Sequence, residues 1–96
     1  MYQNGEYSAT GWYGSLPSHI TVFLTLTEGV VSDVSVTPHA KGFVSRWYQK
    51  RFAKAVPGVV AGKHIDDIRL DRLAGSSVTT DGFNDALERI KADAAR

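Results

Sequence analysis

At 96 residues the chain has the size of one domain, and with 43% apolar residues it can bury a single core without cross-links. Eleven basic residues against ten acidic leave a formal charge of +1, so there is no overall electrostatic pull toward nucleic acid or an acidic membrane surface. The lack of cysteine excludes disulfides, thiol catalysis and thiolate metal sites, and leaves the compartment open. One small domain (1–96) has no room for two lobes around a large cleft, so a ligand is expected at an edge or between a sheet and a helix. No apolar run approaches the length of a membrane span and no signal peptide pattern is present, which fits a cytoplasmic protein or a chain trimmed of an export segment.

The first predicted element is a brief strand over Gly5-Glu6-Tyr7-Ser8-Ala9-Thr10-Gly11. Trp12-Tyr13-Gly14-Ser15-Leu16-Pro17 reads as a loop carrying two large aromatics, either lids on the core or platforms for a flat ring. From His19 to Thr27 apolar residues alternate: Ile20, Val22, Leu24 and Leu26 point one way, Thr21, Phe23, Thr25 and Thr27 the other. Glu28-Gly29 is a two-residue turn signal. Val30 to Thr37 runs back with Val30, Val34 and Val36 on one face, so this hairpin has one apolar face that something must cover.

After His39-Ala40-Lys41-Gly42-Phe43 the period changes. Val44, Tyr48, Phe52, Ala55 and Val56 recur at helical spacing with Trp47 alongside, and Arg46, Gln49, Lys50, Arg51 and Lys54 take the remaining surface. Pro57 is expected to break this helix, leaving at most one further turn before Gly62. Ile65 to Leu70 reads as a short strand or extended segment. Phe83, Ala86, Leu87 and Ile90 then give a second amphipathic helix from near Asp81, with Asp81 at its start and Arg89 and Lys91 near its end, as the helix dipole favours. Strands first and helices later predict an α+β fold: a small antiparallel sheet, a β-hairpin with short flanking strands, covered on one face by two helices.

His19, His39 and His64 have no helical metal-ligand spacing and no cysteine to complete a site. Ser76 or Ser77 with a histidine lacks the nucleophile elbow of a hydrolase. Asp66-Asp67 reads as a solvated turn rather than an acid/base pair. Basic and aromatic residues interleave from Arg46 to Lys54, as in single-strand nucleic-acid binders, but the aromatics fall on the core face and the net charge is near zero, so no nucleic acid is expected.

The most informative stretch is Asp71-Arg72-Leu73-Ala74-Gly75-Ser76-Ser77-Val78-Thr79-Thr80, hydroxyl-rich and running straight into the last helix. Ser, Thr and Asp are the ordinary N-cap residues, and a cap is one reading. The other is a phosphate site: first-turn N–H groups lack helical partners, the dipole places positive charge there, Gly75 admits close backbone approach, and Ser76, Ser77, Thr79 and Thr80 offer hydroxyls.

Together with Asn4 to Gly11, Tyr13-Gly14 and the Ile20–Val36 hairpin, this stretch resembles the FMN-binding domain family. That family occurs in the C and G subunits of sodium-pumping and ion-translocating oxidoreductases and in small bacterial surface proteins. The resemblance runs from about Gly5 to Ala92. The family pattern is Asp-x-x-Ser/Thr-Gly-Ala-Thr-x-Thr before a helix. Asp71, Gly75 and Thr79 fit it, Ala74 stands where the family has Ser or Thr, Ser76 where it has Ala, and Ser77 at the threonine that a flavin transferase can esterify with FMN. Of the family's Thr-Pro-Gly-x-Gly segment only Gly42 matches. The resemblance implies FMN as cofactor, its phosphate held at Gly75, Ser76, Ser77, Thr79 and Thr80, with Ser77 as the covalent acceptor and Thr79 second. It places the ring toward Gly42, Phe43, Trp12 and Tyr13. It further implies a flavin electron carrier rather than an enzyme on its own, redox partner proteins, a flavin transferase, no direct membrane insertion, and an extracytoplasmic or cell-surface location. The departures at Ala74, Ser76 and Lys41 suit an alternative, an apo interaction module on the same scaffold.

Overall fold

A computed structural model of the chain describes residues 2–13, 18–39, 43–70 and 78–95. Strands β1 (Gly5–Tyr13), β2 (Ser18–Thr27) and β3 (Val30–Pro38) come first, followed by α1 (Phe43–Val60), a 3₁₀ turn (Ile65–Asp67) and α2 (Val78–Ala94). The strands make one antiparallel sheet in the order β1-β2-β3, and both helices lie on one of its faces, giving the α+β architecture expected from the sequence.

The alternation in β2 does what its period requires. Ile20, Val22, Leu24 and Leu26 are all buried, and Phe23 between them is exposed. Glu28 and Gly29 have φ of 54° and 79°, the left-handed pair that a tight hairpin demands. On β3 the buried residues are Val31, Val34 and Val36, which corrects the expectation that Val30 faces the core. The cause is a bulge: Leu26 pairs with Val31 and Thr25 with Asp33, so Ser32 is an extra residue and the side-chain phase shifts by one. Trp12 and Tyr13, expected in a loop, are the last residues of β1, opposite His19 and Ser18.

α1 continues through Pro57 to Val60, a second correction. Proline removes one hydrogen bond, but Phe52, Val56 and Val60 are each fully buried, and anchoring those side chains outweighs the loss. Among the described side chains the buried stripe of α1 is Gln49, expected on the outer surface, with Phe52, Val56 and Val60; the side chains of Val44 and Tyr48 lie outside the described residues. Trp47, expected beside the core, sits two residues and so about 200° away from that stripe; it is 49% exposed. After α1, the Val31 N–H donates to the Lys63 carbonyl (2.8 Å) and the Ile65 N–H to the Gly29 carbonyl (2.8 Å), so residues 62–65 line the start of β3. Ile65 to Asp67 then coil into the 3₁₀ turn, where a strand or extended segment was expected.

α2 packs over β1 and β2, with Phe83, Ala86, Leu87, Ile90 and Ala94 buried as its period predicts. It begins at Val78 rather than near Asp81, because Thr79 and Thr80 are themselves packed into the core, and burial overrides their weak helix propensity. Gly11 on the inner face of β1 lets α2 come close: a Cβ there would lie 1.7 Å from the Gly82 carbonyl oxygen. Phe52 of α1 meets Phe83 of α2 edge-to-face at 5.8 Å. The N-terminus is tied down by the Gln3 N–H donating to the Ala94 carbonyl (2.8 Å) and the Tyr2 hydroxyl donating to Asp66. Among the described residues no helix is long and apolar enough to cross a membrane.

Candidate functional site

The face of the sheet turned away from the helices is built in rows by strand register. Trp12 and His19 form the last row, Thr10, Thr21 and Thr37 the next, then Ser8, Phe23 and Ser35, then Glu6, Thr25 and Asp33. No described element covers this face. Its last row ends the sheet where β1 and β3 finish and β2 begins.

At that end three rings stack across the strands. Trp12 lies 4.4 Å from His19 between ring centroids, and His19 lies 4.7 Å from His39 with planes 19° apart. The Thr21 hydroxyl meets His39 Nε2 at 2.8 Å. Gln49, fully buried on α1, fastens the stack from beneath. Its Oε1 accepts from the His39 backbone N–H (2.9 Å) and its Nε2 donates to the His19 carbonyl (3.2 Å). A polar side chain is stable there because both its ends are satisfied. On the other edge the Trp12 backbone N–H donates to Asp85 Oδ2 (3.2 Å), which also accepts from Arg89 Nε (3.2 Å). Trp12 keeps half of its surface in solvent.

The N-terminus of α2 lies at this same end. Gly82 abuts Gly11 and Asp85 holds Trp12, while Ala94 reaches Gln3 at the far end, so α2 runs antiparallel to β1. Its first turn, Val78 to Asp81, therefore lies at the sheet end that carries the Trp12–His19 row, on the opposite face. Phe43 opens α1 four residues after His39. The topology thus gathers the start of α2, Trp12 and the backbone of Tyr13 and Phe43 at one end of the sheet. Gly42, Gly75, Ser76 and Ser77 lie outside the described residues, as do the side chains of Tyr13 and Phe43. Thr79 and Thr80 are 3% and 0% exposed, so their hydroxyls lie inside the protein.

Sequence reasoning did not find His19, His39 or Gln49 as members of one site. The alternation of β2 already put His19 on the Phe23 face; what was missing was Trp12 in a strand, since only that register sets the indole against the imidazole. A separate open depression of about 360 Å³ surrounds Phe23, two rows from the stack, flanked by the Glu6 and Asp33 carboxylates. Two carboxylates disfavour an anionic guest there. At the far end of the molecule, the hydrogen bond to Asp66 and burial push the Tyr2 phenol up to about 12. Among the described residues no three His, Asp or Glu side chains converge as a metal site.

The two features at this end of the sheet lie on opposite faces, the start of α2 on the covered face and Trp12 on the uncovered one. First-turn N–H groups of α2 complement an anion, and the half-exposed indole gives a stacking surface. Compared with known protein families, curated proteins and solved structures, the chain matches none.

Proposed function

We propose that the chain is an FMN-binding electron-carrier domain. One observation carries the reading: α2 begins directly after the Gly75-Ser76-Ser77 stretch, at the sheet end that also presents the half-exposed Trp12. A flavin nucleotide needs a phosphate grip and a ring platform within its own length, and the start of α2 and Trp12 share one end of the sheet, with Trp12 on the face away from the helices. On this reading the phosphate is held by first-turn N–H groups and by Ser76 and Ser77, with Ser77 as the ester acceptor; Thr79, the second choice from the sequence, has its hydroxyl inside the protein and is withdrawn as an acceptor. The burial of Thr79 and Thr80 gives them a supporting part beneath the site. The ring lies against Trp12, with Tyr13, Gly42 and Phe43 around it. Bound FMN would supply electron transfer; the chain's residues hold it, shield it and present it to redox partner proteins outside the cytoplasm.

The purified chain, soaked in FMN and desalted, is expected to retain flavin absorbance. Co-expression with a flavin transferase should add the mass of one esterified FMN, and Ser77→Ala should abolish that increment. A colourless protein with no increment would overturn the reading. That result would favour an interaction module, for which the exposed Trp12 (51%) and Phe23 (46%) on the uncovered sheet face are the supporting observation.

A further inference from the structure

The near-neutral charge of the whole chain hides a division that the fold makes physical. α1 carries Arg46, Lys50, Arg51 and Lys54 and no acidic residue, which leaves seven basic and ten acidic side chains, a formal charge of −3, on the rest of the chain. All four cations are exposed. They share the outer side of α1 with Trp47, and the Arg51 guanidinium lies 4.6 Å from the centre of its ring system. Positions 46, 47, 50, 51 and 54 recur every three or four residues, so they form one stripe opposite Gln49, Phe52 and Val56. The acidic groups lie elsewhere: Asp81, Asp85, Glu88 and Asp93 on α2, Glu6 and Asp33 on the uncovered sheet face, Asp66 and Asp67 on the 3₁₀ turn. No ion pair among the described residues uses an α1 cation.

We propose that this face of α1 docks the domain on an anionic phospholipid bilayer, with the helix lying along the surface. Lys and Arg reach lipid phosphates with their stems laid along the helix, and the Trp47 indole sits at headgroup level, where an apolar body with one N–H donor is at home. The opposite sign of the remaining chain orients the molecule, because turning α2, the uncovered sheet face or the 3₁₀ turn to the lipid brings carboxylates toward phosphates. A single-stranded nucleic acid is the poorer fit. It needs successive exposed rings for its bases, whereas Phe52 is buried and Arg51 already lies over Trp47. The docking is independent of the flavin reading and stands or falls without FMN.

The test is co-sedimentation of the full chain with vesicles of phosphatidylcholine alone and of phosphatidylcholine mixed with phosphatidylglycerol, across a salt series. Binding is expected only to the mixed vesicles and should weaken as salt rises. Arg46→Gln, Lys50→Gln and Lys54→Gln should each weaken it about fivefold, while Asp33→Asn on the opposite face should not. In a Trp12→Phe background, the remaining indole emission should shift to the blue on adding mixed vesicles. The three helix variants alter exposed side chains, and unchanged thermal melts in any one of them suffice for the comparison. Equal binding to both vesicle types, or undiminished binding by the neutralised variants, would overturn the proposal. So would a single-stranded oligonucleotide or polyglutamate binding as tightly as the mixed vesicles at the same salt.

Discussion

At the scale of single residues, two glycines make opposite demands. Gly11 has no room for a methyl group, because its Cβ would meet the Gly82 carbonyl at 1.7 Å and the Ala86 nitrogen at 3.0 Å, both backbone atoms. Gly58 lies in α1 with nothing within 4 Å of its Cβ position. Gly11→Ala is therefore expected to destabilise the protein by about 3 kcal/mol, by forcing strand and helix apart. Gly58→Ala should stabilise it by roughly 0.5–1 kcal/mol through helix propensity. Urea melts of the two variants check both signs. Tyr2 supplies a pH dependence. Its phenol titrates at about 12 in the folded chain against an ordinary 10.0, held protonated chiefly by its hydrogen bond to Asp66. A raised folded value means the contribution is complete below pH 10 and is lost as pH rises toward 12. Tyr2→Phe should flatten that alkaline loss of stability, and the difference in tyrosinate absorbance between parent and variant should titrate near the upper value.

At the scale of elements, the hairpin and the second helix were legible because each has a clean period and a clear stop. The Ile20–Leu26 alternation and the Glu28-Gly29 turn need nothing from outside the segment. The same local logic missed Val31, because a bulge at Ser32 is a decision about pairing and not about propensity. It also ended α1 at Pro57. There the missing N–H is a local cost, while burial of Val56 and Val60 is a tertiary gain of roughly 1.5–3 kcal/mol for each side chain. Pro57→Ala should therefore leave the fold unchanged and raise stability by about 1–2 kcal/mol, the restored helical bond being partly offset by a freer unfolded chain. Helical circular dichroism and a denaturant midpoint measure the two parts of that expectation.

At the scale of the whole molecule, two helices share one sheet face and meet through Phe52 and Phe83. Rings in contact across two elements should couple them. A double-mutant cycle with Phe52→Leu and Phe83→Leu is expected to show an interaction of about 0.5–1.5 kcal/mol, and strict additivity would mean that the helices dock independently. The candidate site belongs to this scale as well. The proposal for Gly75 to Thr80 comes from the sequence alone, since its composition and place before a helix are local facts. The stacked rings could not be read that way. Trp12, His19, His39 and Gln49 come from four separate stretches, and only strand register and the docking of α1 set them side by side.

The amino-acid sequence alone determined the fold class, the hairpin and the inner stripe of α2, because hydrophobic period and turn chemistry act over a few residues. Only the tertiary structure decided that Trp12 ends a strand and stacks on histidine, that Trp47 faces solvent, that Thr79 and Thr80 face the core, and that a chain of formal charge +1 keeps four of its cations on one side. Those outcomes depend on which surfaces meet, and a residue's own neighbours in the chain do not specify that.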